Sequence, residues 1–275
     1  MLSDRFVEFV WTCPEQAAEF RESQRKTLPF MPEKLPFILG CGAKVDSDTL
    51  TDDARQHPCY PKFSALPDIL KYCPGGANFI HFESRSPRMP LVQMAEIDQI
   101  MNLCGPSLNG MEFEFKISAE AVRHFKQKYP ANHNQTIMKV EERTLDQFNN
   151  NPALLAFALR DHRNALDYVA FDTTTNPNQV PDIDLLGNHF RAFEDMNLPY
   201  GLIITIWPEH EEVALITPLL QRYPGVCVQF KPAPSGQLDI PHALELLNAL
   251  AEVYELTTKL RHPGPPDQLA QSAAI

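Results

Sequence analysis

The chain has 275 residues, 44% of them hydrophobic, and a formal net charge of -11. That is enough apolar material for one large α/β core, and the acidic balance argues against nucleic acid or an anionic membrane as partner. The opening MLSDRFVEFVW sets acids among apolar residues, unlike the apolar core of a secretory signal, and no later run is long enough to span a bilayer, so a cytoplasmic location is expected.

Thr12 and Glu15 flank Pro14 as a helix start, which predicts a helix to about Lys26 and an N-terminal helical extension over residues 1–30. The first strand is expected at Phe37 to Cys41, followed by a long polar loop from Asp46 to Lys62 and a short helix from Ser64 to Tyr72. Strands then follow at Asn78 to Ser84, Met111 to Lys116, Thr136 to Glu142, Tyr168 to Asp172, Leu202 to Trp207 and Val226 to Lys231. Between them lie helical stretches at Leu91 to Leu103, Ala119 to Tyr129, Leu145 to His162, Asp184 to Met196 and Glu211 to Tyr223. A last helix spans Pro241 to Leu260. The barrel domain is therefore placed at residues 31–260, with 261–275, rich in proline and small residues, as a flexible tail.

Several of these strands alternate strictly. Ile80 and Phe82 oppose His81 and Glu83; Phe113 and Phe115 oppose Glu112 and Glu114; Met138 and Val140 oppose Lys139 and Glu141. Val169 and Phe171 oppose Asp172, and Val228 and Phe230 oppose Gln229 and Lys231. Because side chains alternate across a strand, each segment packs one face and offers the other to a polar space. An antiparallel sheet with one wet face would also alternate. The strands, however, recur about every 25 to 40 residues with helices between, which indicates βα units and a TIM-like (β/α) barrel, with the polar face in its lumen. Seven strands are counted, one short of a complete eight-stranded ring.

Taken in order, FILGCG at Phe37 to Gly42, HFESRSPRMP at His81 to Pro90 and DYVAFDTT at Asp167 to Thr174 resemble successive strands of the phosphoribosylanthranilate isomerase family of (β/α)8 barrels, a likeness that runs from Lys34 to Leu250. The resemblance implies an Amadori rearrangement with Cys41 as general base, Asp172 as general acid and Arg88 on a substrate carboxylate. The family's glycine-rich phosphate turns are missing. ITIWPEHEE sets Trp207, Pro208 and Glu209 where the family has small residues, and QFKPAPSGQ leaves Lys231, Ser235 and Gly236 to substitute in part.

Each candidate has a plainer reading. Cys41 is a base or a small core residue; Asp172 ends an apolar strand, where an acid needs a partner or a role. His81, Glu83, Glu112, Glu114 and Glu141 could hold a divalent metal, but no compact ligand motif appears, and a lumen of acids neutralised by Lys139 and Lys231 is preferred. No metal or cofactor is expected. Lys139 could also serve as the amine of a Schiff-base lyase, although neighbouring glutamates oppose the required fall in pKa. Trp207 and Tyr200 either cap a ligand or close the barrel end. The six cysteines lack the pairing of a zinc or redox motif and read as reduced thiols.

Two functions follow. One is an isomerase-like enzyme acting on a small, sugar-derived or phosphorylated metabolite, with Asp172, Cys41, Glu114 and Lys139 catalytic and His81, Glu83, Arg88, Glu141 and Lys231 binding substrate. The other is an inactive barrel that binds a ligand or serves as a scaffold, and a homo-oligomer is compatible with either.

Overall fold

The computed structural model describes residues 5–27, 35–50, 59–72, 76–86, 89–129, 134–177, 179–233, 236 and 238–261. Eight parallel strands close into a ring in sequence order. They are β1 (Phe6–Trp11), β2 (Ile38–Asp46), β3 (Ala77–Glu83), β4 (Gly110–Glu114), β5 (Gln135–Glu141), β6 (Tyr168–Asp172), β7 (Gly201–Ile206) and β8 (Cys227–Phe230). The helices around them are α1 (Pro14–Thr27), α2 (Leu66–Leu70), α3 (Pro90–Cys104), α4 (Ala119–Lys128), α5 (Glu142–Gln147), α6 (Pro152–Leu159), α7 (Ile183–Asp195), α8 (His210–Arg222) and α9 (Ile240–Arg261).

The eighth strand lies where an extension was expected. Phe6–Trp11 pairs with β2 on one side and β8 on the other, closing the ring, and the helix predicted after Thr12 is the first helix of the barrel rather than an appendage. In FVEFVW every residue is buried, so the strand lacks an alternating polar signal except at Glu8. The strand read at Phe37 to Cys41 is longer, running to Asp46, and is second in the ring. The single helix expected from Leu145 to His162 is two: Asn149 and Asn150 take φ of 52° and 55°, and Asn151 then caps α6 through bonds from the Ala153 and Leu154 amides, with Pro152 in its first turn. The expected tail, Arg88 and Ser235 lie outside the described residues, apart from Arg261 at the end of α9.

Two apolar layers hold the ring. Outward residues such as Val7, Phe9, Ile80, Phe82, Phe113, Val140, Phe171 and Phe230 join the helices in the main core. A separate cluster of Phe6, Phe79, Ile137, Tyr168, Ala170, Ile203 and Cys227 plugs the lower lumen. Above that plug the inward positions are polar, which is where a barrel of this kind keeps its chemistry.

Candidate functional site at the C-terminal mouth

Glu8, His81, Glu112 and Gln229 meet just above the plug. His81 Nδ1 lies 2.9 Å from Glu112 Oε1 and His81 Nε2 3.0 Å from Glu8 Oε1. The Gln229 amide nitrogen donates to Glu8 Oε2 at 2.9 Å and to Glu112 Oε2 at 2.8 Å, while its oxygen accepts from the Thr205 hydroxyl at 2.8 Å. All are buried. Burial alone would discharge His81, but Glu112 and Glu8 outweigh it and raise its pKa to about 9. Glu112 is driven the other way: against the opposing cost of burial, the His81 charge lowers it to about 2. For Glu8 burial prevails and raises the pKa.

Space for this cluster comes from β2. A methyl group on Gly42 would run into Glu8 Oε1 and come within 2.6 Å of His81 Nε2. On Gly40 it would stand 2.7 Å from the Ala77 carbonyl oxygen. Glycine there lets the two longer side chains meet across the strand.

The rim above carries alternating charges. Asp172, at the end of β6, takes Lys139 on one oxygen at 3.1 Å and Lys231 on the other at 2.5 Å. Lys231 also donates to the Thr174 hydroxyl at 2.9 Å and sits 4.7 Å from the centre of the Trp207 ring. Lys139 reaches Glu141 at 3.3 Å, and Glu141 accepts from Arg143 Nε at 2.8 Å. Glu114 pairs with Lys116 at 2.7 Å, and Glu83 accepts from the Tyr60 hydroxyl at 3.0 Å. Glu114, Lys116, Lys139, Glu141 and Arg143 line a cavity of about 330 Å³. A second of about 50 Å³ reaches down to His81 and Glu112 beside Lys44.

The alternation of the sequence is thus the geometry of the lumen: His81, Glu83, Glu114, Lys139, Glu141 and Asp172 all lie on the inner faces of their strands, with Lys231 just beyond β8, and ion pairs link several of them. Cys41 does not join them. It lies on the outer face of β2 under α2, its thiol 3.6 Å from the Ile69 carbonyl, because the inner positions of that strand belong to Gly40, Gly42 and Lys44. Lys139 is ill suited to Schiff-base chemistry, since the desolvation that would lower its pKa is outweighed by Asp172, Glu112 and Glu141, which raise it. Tyr200 is packed away from the site, donating to the Leu159 carbonyl. Of the six cysteines, the five described are free thiols.

Sequence reading missed Glu8, Lys44 and Glu212. Glu212, in the first turn of α8, accepts from the Trp207 amide at 2.8 Å. Burial pushes its pKa up to about 7. Only its place three residues after Glu209 at a helix start could have marked it. Among the described residues no helix is long and apolar enough to cross a membrane, and no cluster of three or more His, Cys, Asp or Glu side chains is arranged to hold a metal ion.

No protein-family model and no curated protein matches the sequence. Solved structures do. A 3-hexulose-6-phosphate synthase from Salmonella typhimurium is 9% identical with a TM-score of 0.56, covering 92% of this chain and 99% of that one. Another 3-hexulose-6-phosphate synthase is 13% identical with a TM-score of 0.52 over 89% of this chain and 99% of that one. Concanavalin B is 9% identical with a TM-score of 0.51 over 90% and 99%. The likeness is one of fold.

Proposed function

We propose that the chain binds a small phosphorylated or sugar-derived metabolite in the mouth of the barrel and acts on it by proton transfer, as a divergent relative of phosphoribosylanthranilate isomerase. The observation that carries this reading is the convergence of Lys139, Asp172 and Lys231 from three strands at the rim, beside a 330 Å³ cavity lined by Lys116, Lys139 and Arg143. A cavity of that size suits a small metabolite, and three cations along it suit an anionic one.

Acid/base chemistry on a sugar needs a donor and an acceptor on opposite sides of the ligand. Glu212 on α8 has its pKa pushed up to about 7 by burial, so it can hold or release a proton close to neutrality, and burial with the nearby Glu83 charge raises the pKa of Glu114 on β4 in the same direction. Asp172 is gripped by two lysines and serves better to fix them than to donate. In this scheme Cys41 has no part. The fold's neighbours include proteins named as hexulose-phosphate synthases, which agrees with a phosphorylated sugar as ligand.

One observation favours a second reading, a binding protein without catalysis: the rim charges already satisfy one another without a ligand. A thermal-shift screen of sugar phosphates against free carboxylates, repeated with Lys231→Ala, tests the proposal. Stabilisation by phosphates that Lys231→Ala abolishes supports it, and indifference to every phosphorylated sugar overturns it. Turnover of a stabilising compound, followed by NMR, then separates enzyme from binder.

A further inference from the structure

Among the described residues three lysines face into the barrel from β2, β5 and the end of β8, and two of them are spoken for. Lys139 is paired with Asp172 and Glu141, and Lys231 with Asp172 and Thr174. The third, Lys44, lies on the inner face of β2 at the register of His81 and shares the 50 Å³ cavity with His81, Lys139 and the acids Glu83, Glu112, Glu114 and Glu141. Among the described residues its side-chain ammonium makes neither a hydrogen bond nor an ion pair, although its backbone is part of the β2 ladder.

We propose that Lys44 is a nucleophilic amine that forms an imine with the carbonyl carbon of a small aldehyde or ketone entering this cavity. This deepens the proposed metabolite site by assigning the ligand a carbonyl group, and so rests on that reading. An ammonium group that gives up water without a paired counter-ion has its charged form disfavoured, and among the described residues none of the Glu83, Glu112, Glu114 and Glu141 carboxylates that share the cavity forms an ion pair with Lys44. Burial lowers the pKa of Lys44, the Lys139 charge lowers it further, and Asp172, Glu112 and Cys59 only partly offset this. A lysine beside another cation in a desolvated pocket is the arrangement that frees an amine for nucleophilic attack.

The step balances without an outside reagent. The Nζ lone pair attacks the carbonyl carbon, a C–N bond forms as the C=O π bond breaks, and a proton passes from Nζ to the carbonyl oxygen to give a carbinolamine. Glu114, which burial favours in its protonated form and which lines the same cavity, supplies a proton to the departing hydroxyl. One water leaves as the C=N bond forms.

The test is reductive trapping on the intact protein. Folded protein is exposed to glycolaldehyde with sodium cyanoborohydride at neutral pH, and adducts are mapped by peptide mass spectrometry. A lowered pKa raises an amine's free-base fraction at neutral pH, so Lys44 is expected to label severalfold faster than the exposed Lys26 and Lys71. Lys44→Met and Lys44→Arg should each remove that adduct and leave the others. Labelling of Lys44 no faster than Lys26 and Lys71, or no labelling of it, overturns the proposal. Sugar-phosphate binding is scored separately: binding without Lys44 labelling removes the imine and leaves the metabolite site, whereas fast labelling without binding leaves the amine and removes the phosphorylated ligand.

Discussion

His81 Nε2 and Glu8 Oε1 stand 3.0 Å apart in a closed lumen, and the two residues come from strands that do not touch each other in the sheet. Their meeting depends on β2 passing between them with only Gly40 and Gly42 in the way. It commits the middle of the barrel to one arrangement: a cation between two carboxylates, with the Gln229 amide tying the carboxylates together.

Removing the cation should be costly. His81→Leu leaves Glu8 and Glu112 buried beside one another without a countercharge, and breaking a buried pair in this way destabilises by about 3–5 kcal/mol. Urea denaturation measures it. A loss below about 1 kcal/mol would mean that the cluster contributes little to holding the ring.

The same cluster predicts a decline in stability on the alkaline side. The His81 pKa rises from the ordinary 6.5 to about 9 in the folded chain. Its contribution is therefore complete below pH 6.5 and is lost as pH climbs through about 9, a total of about 3 kcal/mol at roughly 1.4 kcal/mol per unit. Denaturation midpoints between pH 6 and 10 should fall in the wild-type protein, and the fall should be smaller by that amount in His81→Leu.

Gly42→Ala should destabilise although it adds only one methyl group. That methyl would meet Glu8 Oε1 and His81 Nε2, atoms that the network pins in place, so overpacking of about 1–3 kcal/mol is expected. Gly225→Ala, where an added Cβ meets nothing within 4 Å, is the control.

Glu114→Leu should leave the melting temperature unchanged or raise it, because the acid is largely buried, its charged form is disfavoured, and its Lys116 partner is half exposed. Turnover or ligand response should change. Differential scanning fluorimetry with and without ligand reads both, and gross unfolding would show that Glu114 is needed for the fold.

Much of this was legible from alternation alone. His81 and Glu83, Glu112 and Glu114, Lys139 and Glu141, Asp172, and Gln229 and Lys231 read as the polar faces of strands, and a polar side chain on a strand buried on both sides has only the lumen to face. β1 was hidden because Val7, Phe9 and Trp11 face helices while Phe6 and Val10 face the lumen, so five of its six positions are apolar. Lys44 escaped because the strand expected at Phe37 to Cys41 stops five residues short of its end at Asp46. The parity of Cys41 follows from its neighbours, since the glycines beside it are the positions that admit Glu8 and His81. The family likeness implies a base at this position, whereas the outward parity of Cys41 places its thiol in the core between sheet and helices.

The proposed function requires the lysine-rich rim to receive a phosphorylated sugar. Isothermal titration of the wild-type protein and of Lys231→Ala and Arg143→Ala with the sugar phosphates that raise its melting temperature tests it most directly. Saturable one-to-one binding that weakens about tenfold or more in either variant, with the fold intact, is the predicted result. Binding unchanged in both variants, or none to any phosphorylated sugar, would rule out the rim as the site of a phosphorylated ligand.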